Sequence, residues 1–199
     1  KPNDDVLTQS IDSIIKANYL PNEPGAAILI IKDGKEIFAK GFGMANLELN
    51  VPIKSEMIFR LGSITKQFTA VSILILEEQG KLNIKDDIRK HLPSYPIHKK
   101  IITVENLLTH TSGIPSFTEF PNSFEIEQMK LTTNEILDLF KDKPLDFEPG
   151  ERFSYSNSGY DVLGAIIESV SGMTYEDFVE TEIFKKIGMK HSFYDHPEE

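Results

Sequence analysis

The chain has 199 residues, no cysteine, and 31 acidic against 21 basic side chains, for a formal charge of −10. At 40% hydrophobic and 26% charged it has the composition of a folded globular protein. The acidic balance argues against nucleic acid as the main partner, and the lack of cysteine excludes a disulfide framework and a thiolate metal site. The longest unbroken apolar run, Ala26–Ile31, is far short of the roughly 18 residues that span a bilayer. Lys1-Pro2-Asn3 carries neither an initiator Met nor the basic-then-apolar pattern of a leader, so a mature or shortened form is expected.

In chain order, Asp4 or Asp5 can cap a helix whose apolar positions are Val6, Leu7, Ile11, Ile14 and Ile15. Pro21–Gly25 breaks it. Ala26–Ile31 reads as a strand apolar on both faces, hence central in a sheet. Asp33-Gly34 is a two-residue hairpin signal, and Glu36–Phe42 returns antiparallel. Ser63–Gln79 predicts a long helix presenting Ile64, Phe68, Val71, Leu74 and Ile75, closed by Gly80. Thr103 can cap a helix through Leu108, and Thr132 with Glu135 forms a capping box for Asn134–Lys141. Asn157 or Ser158 starts a helix ending at Gly172, and Thr174 caps another through Lys185. Thr111–Leu131 is expected to be irregular. A two-stranded sheet is marginal alone, and Ala26–Ile31 calls for neighbours on both edges that the sequence does not supply. An open strand edge and association through it are therefore expected.

The first segment with chemistry is Gly62-Ser63-Ile64-Thr65-Lys66. Ser and Lys three apart at a helix start share one face. A serine hydroxyl needs a base to become a nucleophile. A lysine serves once burial and the positive end of a helix lower its basicity. The first turn also directs free N–H groups at a developing oxyanion. A plainer reading is an N-cap serine with a surface lysine. Ser13-Ile14-Ile15-Lys16 matches the same spacing at the wrong end of a helix and reads as solvated positions. The second segment is Phe147–Tyr160, a Pro-, Gly- and Ser-rich loop running into a helix. Tyr155 and Asn157, two apart, project to the same side of an extended segment. A phenol can relay a proton and an amide can bind a substrate; alternatively Tyr155 packs on the core and Asn157 caps the helix.

Together these segments resemble the serine β-lactamase-like superfamily, which contains class C β-lactamases, DD-peptidases and related carboxylesterases. Ile58–Ala70 looks like its nucleophile helix, Leu107–Pro115 (with His110-Thr111-Ser112-Gly113) like its helix-to-loop signature, Phe147–Tyr160 like its Y-x-N loop, and Ile183–Met189 like the segment that follows. The resemblance implies an α+β fold, a β-lactamase/penicillin-binding-protein-like transpeptidase fold in which an antiparallel sheet carries a helical subdomain. It implies one such domain over 1–199, with the helix and hairpin in 1–62 and the nucleophile helix and helical subdomain in 63–199. It also implies that Ser63 is acylated, that Lys66 and Tyr155 relay its proton, that Asn157 orients Lys66 and the substrate carbonyl, and that the Ser63 N–H is half of an oxyanion hole. By the same resemblance His110 is structural rather than a general base. No cofactor is implied; the partner is a small-molecule or peptide substrate, and the location is periplasmic or secreted.

The family's third motif, K-T-G or H-x-G on a C-terminal strand, has no match after Met189; His191-Ser192-Phe193 lacks the glycine. The chain is thus expected to be the N-terminal portion of a longer enzyme with its C-terminal strands missing. It would then be completed by a second fragment or a strand-swapped copy, and weakly active or inactive alone. A non-catalytic ligand-recognition or sensor module and an inactive fragment of the same fold are the competing readings. Gly41-Phe42-Gly43 lacks the third glycine of a dinucleotide fingerprint and reads as a strand end. There is no G-x-S-x-G elbow. The five His residues lack metal-ligand spacing, and Lys99-Lys100 is too small a patch for nucleic acid.

Overall fold

A computed structural model describes residues 4–97 and 100–196. The side chains of Asp4 and Asp5, and residues His98 and Lys99, lie outside the described residues, so the cap and the lysine pair named above find no test there. The chain forms two compact units, 1–60 and 61–199.

In the first unit, α1 (Asp4–Asn18) is followed by the antiparallel hairpin β1 (Ala26–Lys32) and β2 (Lys35–Phe42). Asp33 and Gly34 both take positive φ, 51° and 73°, the backbone twist that a tight two-residue hairpin requires. The register pairs Ala26 with Phe42 and Ile30 with Phe38, with a bulge between Ile30 and Ile31. The helix is tied to β2 by Lys40 Nζ, 2.6 Å from Asp12 Oδ1. Leu7, Ile11 and Ile15 are half-buried, whereas Val6 and Ile14 face solvent. A second small antiparallel pair, β3 (Met44–Asn46) and β4 (Val51–Pro52), was not visible in the sequence because it is too short to show alternation. The Gly41–Gly43 stretch ends β2 and leads into β3, as a strand end.

The expectation of a central strand at Ala26–Ile31 requires correction within this chain. Among the described residues β1 pairs only with β2, so it is an edge strand. Leu29 and Ile31, on one of its faces, are 60% and 61% exposed.

The second unit is helical. It contains α2 (Lys66–Glu78), α3 (Val104–Leu108), α4 (Ser123–Glu127), α5 (Thr133–Asp138), α6 (Asn157–Ser171), α7 (Tyr175–Val179) and α8 (Lys185–Ile187), with 3₁₀ turns at Gly62–Thr65, Ile88–Lys90 and Phe117–Glu119. Its core gathers Ile73 and Leu76 of α2, Leu107 of α3, Phe140, Leu163 and Ile166 of α6 and Phe178 of α7, all essentially inaccessible. Each such side chain contributes on the order of 1.5–3 kcal/mol through removal from water. The capping boxes at Thr103 and Thr132 are present, and Thr174 caps α7 by accepting from the Asp177 N–H. Gly172 closes α6 in the left-handed conformation.

Three boundaries and one stretch expected to be irregular depart from expectation. The nucleophile segment begins as a 3₁₀ turn and becomes α-helical only at Lys66. The helix from Thr132 stops at Asp138 instead of Lys141. Beyond Val179 the chain continues as a π-turn, Glu180–Phe184, before α8. The stretch expected to be irregular contains α4. The buried side of α2 is also different. Thr69, Ser72, Ile73 and Leu76 are buried, while Ile64, Val71 and Leu74 are 59%, 43% and 50% exposed. Apolar residues stand on more than one side of the helix, and its buried side includes the polar Thr69 and Ser72, so periodicity could not choose between its faces.

Candidate active site

The site lies within the second unit, where two loops are laced together beside the start of α2. The Ser154 N–H donates to the His110 carbonyl at 2.9 Å, the Gly150 N–H to Thr111 at 2.8 Å, and the Asp146 N–H to Gly113 at 2.9 Å. Gly113 makes the close approach possible: its φ is +78°, and a Cβ there would lie 2.1 Å from the Phe147 carbonyl oxygen. The lacing delivers Tyr155 and Asn157 to the nucleophile turn, where Gly62 takes φ +54°.

There the four residues expected from the sequence come together. Ser63 Oγ is 2.6 Å from the Tyr155 hydroxyl. Lys66 Nζ donates to Ser63 Oγ at 3.3 Å and to Asn157 Oδ1 at 2.7 Å. The ammonium also lies over the rings of Tyr155 and Tyr160, 4.8 and 5.4 Å from their centroids. Burial pushes the Tyr155 phenol up, but Lys66 and the Ser63 hydroxyl beside it outweigh that effect and hold its pKa below the usual value. A phenol of lowered pKa can, as phenolate beside an ammonium, take the proton of a serine hydroxyl as that oxygen attacks a carbonyl carbon.

Asn157 is the first residue of α6, whose cap is Ser156. It is fixed by a part of the chain that gave no sequence signal. Its N–H donates to Ser116 Oγ at 3.1 Å and its side-chain Nδ2 to Thr118 Oγ1 at 3.0 Å, while the Phe117 N–H donates to Ser158 Oγ at 2.9 Å. The Thr118 contact orients the amide so that its oxygen faces Lys66. Only the Ser-x-Thr pattern at 116–118 could have pointed to this pair of hydroxyls.

His110 stands behind Tyr155 as a packing and hydrogen-bonding residue, as expected. Its ring stacks on Tyr155 and Tyr160 at 4.5 and 5.0 Å, and its Nδ1 accepts from the Ser156 N–H at 3.1 Å. Ser13 and Lys16 are exposed on α1; Ser13 Oγ donates to the Gln9 carbonyl and Lys16 pairs with Asp12. Among the described residues no helix is long and apolar enough to cross a membrane.

Comparison with known proteins places this geometry in a family. The chain is 35% identical over 191 residues to protein flp of Staphylococcus aureus strain MRSA252, covering 94% of this chain and 38% of that relative. It superposes with a TM-score of 0.80, at 37% identity, on the octameric penicillin-binding protein homologue from Pyrococcus abyssi, covering 98% of this chain and 46% of that one. D-amino acid amidase from Ochrobactrum anthropi SV3 superposes with a TM-score of 0.83 at 28% identity, covering 96% of this chain and 54% of that one. The chain therefore spans about two fifths to one half of the length of these proteins, and has their β-lactamase/penicillin-binding-protein-like fold. Residues 16–199 match the Beta-lactamase family model, and the chain belongs to that family of the serine β-lactamase-like superfamily.

Proposed function

We propose that this chain carries the nucleophile and proton relay of a serine hydrolase that works through an acyl-enzyme. Ser63 Oγ attacks the substrate carbonyl carbon, its O–H bond breaks, and the proton passes to the Tyr155 oxygen, which takes it as a phenolate held beside the Lys66 ammonium. Expulsion of the leaving group takes a proton back from that phenol, and water repeats the sequence to release the acyl group. Asn157 holds Lys66 and receives the substrate, and the Ser63 N–H faces the developing oxyanion. The observation that supports this reading is the single hydroxyl of Ser63 set 2.6 Å from the Tyr155 phenol and 3.3 Å from Lys66 Nζ.

The substrate class is a β-lactam, a D-alanyl peptide, an ester or an amide. The setting is periplasmic or secreted, a location carried over from the family. The chain acts as the N-terminal portion of a single β-lactamase-like domain, whose remaining part completes the oxyanion site; a strand-swapped copy is the other means of completing it. The test is intact-mass spectrometry after incubation with a penicillin and with an activated ester. A mass increase on the native chain that Ser63→Ala abolishes is the expected result. An increase that survives Ser63→Ala, or none on either the chain or its full-length parent, overturns the assignment.

A further inference from the structure

Asp161 lies on α6 one turn beyond Asn157, about 6 Å further along the axis, and so on the same face. That face lines a cavity of about 580 Å³ which opens at Ser63 and Lys66. Three carboxyl groups border the cavity, and two are engaged. Glu168 Oε1 accepts from the Tyr175 N–H at 3.0 Å, and Glu176 Oε1 is 3.0 Å from His196 Nε2. Asp161 has no hydrogen bond among the described residues. Of the donors lining the same cavity, the Thr69 and Tyr175 hydroxyls bond each other at 2.7 Å, and Lys66 Nζ bonds Ser63 and Asn157. Burial raises the Asp161 carboxyl to about 7, against the opposing charge of Lys66. A half-buried carboxyl on the cavity wall, with no hydrogen bond to the described residues, is open to a donor that enters the cavity. Beside a nucleophile, the group that would satisfy it is one that a substrate brings.

We propose that Asp161 is a specificity-determining residue whose carboxylate receives an ammonium group on the acyl part of the substrate while the acyl carbonyl sits on Ser63. The substrate class is then an ester or amide whose acyl portion bears a primary amine. The inference rests on Ser63 being the acylated residue. The titratable groups that line the cavity with Asp161 are Lys66 of α2, Tyr160 and Glu168 of α6, Tyr175 and Glu176 of α7, and Tyr194. Lys66 is the cation among them and favours the carboxylate, while burial opposes it. Preference for an amine-bearing acyl group therefore grows as pH rises through about 7, where Asp161 ionises, and fades below it.

The test compares Ser63 acylation by the p-nitrophenyl esters of 3-aminopropanoic and butanoic acid, matched in length and differing in charge. Rates are read by intact mass and corrected for each ester's spontaneous hydrolysis. At pH 8 the amino ester is expected to acylate the native chain about tenfold faster, Asp161→Asn to bring the ratio near one, and Asp161→Glu to restore part of it. Equal rates on the native chain, or an undiminished ratio in Asp161→Asn, overturn the inference while leaving the serine chemistry standing. If neither ester labels Ser63, the acyl-enzyme reading fails, and titration with 3-aminopropanamide followed at the Asp161 carboxyl carbon by NMR decides this one. A saturable shift supports the amine site, and its absence overturns it.

Discussion

The imidazole of His110 lies 4.5 Å from the ring of Tyr155, at an interplanar angle of 28°. His110 is held in the left-handed region, φ 56°, by the lacing of its loop, and its Nδ1 lone pair accepts the Ser156 N–H. That bond fixes the neutral tautomer with its proton on Nε2. Burial, then the nearby Lys66 charge, lower the His110 pKa below 6.5. The ring is thus neutral in the folded protein at pH 7. The stability this contributes is fully present above pH 6.5 and is lost as pH falls through the lowered folded value. Protonation at Nδ1 breaks the Ser156 bond and sets a second cation beside Lys66. Labelling of Ser63 by an activated ester is therefore expected to fall on acidification below pH 6.5. His110→Asn tolerates the positive φ but lacks the stacking ring. It is expected to slow labelling by about ten- to a hundredfold through misplacement of Tyr155 and to remove that acid step. A profile that keeps the step in His110→Asn contradicts the role.

Tyr155→Phe keeps the ring on His110 and deletes only the phenol oxygen 2.6 Å from Ser63 Oγ. The melting temperature is expected to stay close to that of the native chain, because Tyr155 is 42% exposed. The rate of Ser63 acylation is expected to drop by about 10²–10⁴. Thermal unfolding and timed adduct formation on the same preparation check both halves. An acylation rate unchanged by the substitution shows that the phenol is no part of the relay.

Thr118→Val removes the hydroxyl that accepts from Asn157 Nδ2 and leaves a side chain of similar volume. The amide then loses what fixes its orientation toward Lys66. The expected result is a loss of about 1 kcal/mol in stability, the net value of one hydrogen bond, with a severalfold slower acylation. Denaturant titration measures the first and labelling kinetics the second. Asn157→Ala should be slower still and insensitive to the further addition of Thr118→Val, since the two act through one contact.

Much of this site was legible because each of its parts is local in sequence. Ser63 and Lys66 lie one turn apart, and Tyr155 and Asn157 two residues apart, so spacing alone put each pair on one side. What joined the pairs was not legible. It depends on backbone bonds between residues 110–113 and 146–154, far apart in sequence, and on Ser116 and Thr118 in a stretch with no periodicity. Asp161 escaped notice because a lone acid on a helix is ordinarily a solvated position, and only the cavity beside Lys66 makes it otherwise. The short elements β3, β4 and α4 were missed because two to five residues cannot display a period. The buried side of α2 was misassigned because Ile64, Val71 and Leu74 satisfy a helical stripe as well as Ile73 and Leu76 do.

That misassignment yields a stability contrast between neighbours. Ile73 is fully inaccessible within the core formed with α6, while Leu74, the next residue, is 50% exposed. Truncating Ile73 to Ala leaves a cavity among residues that cannot collapse around it, so a loss of about 2–5 kcal/mol is expected. Truncating Leu74 to Ala removes a side chain already in contact with water, so a change within about 0.5 kcal/mol is expected. Urea unfolding of both variants of the 199-residue chain, followed by circular dichroism, makes the comparison. If Leu74→Ala proves as damaging as Ile73→Ala, the outward face of α2 is covered in solution, and the assignment of its buried side is wrong.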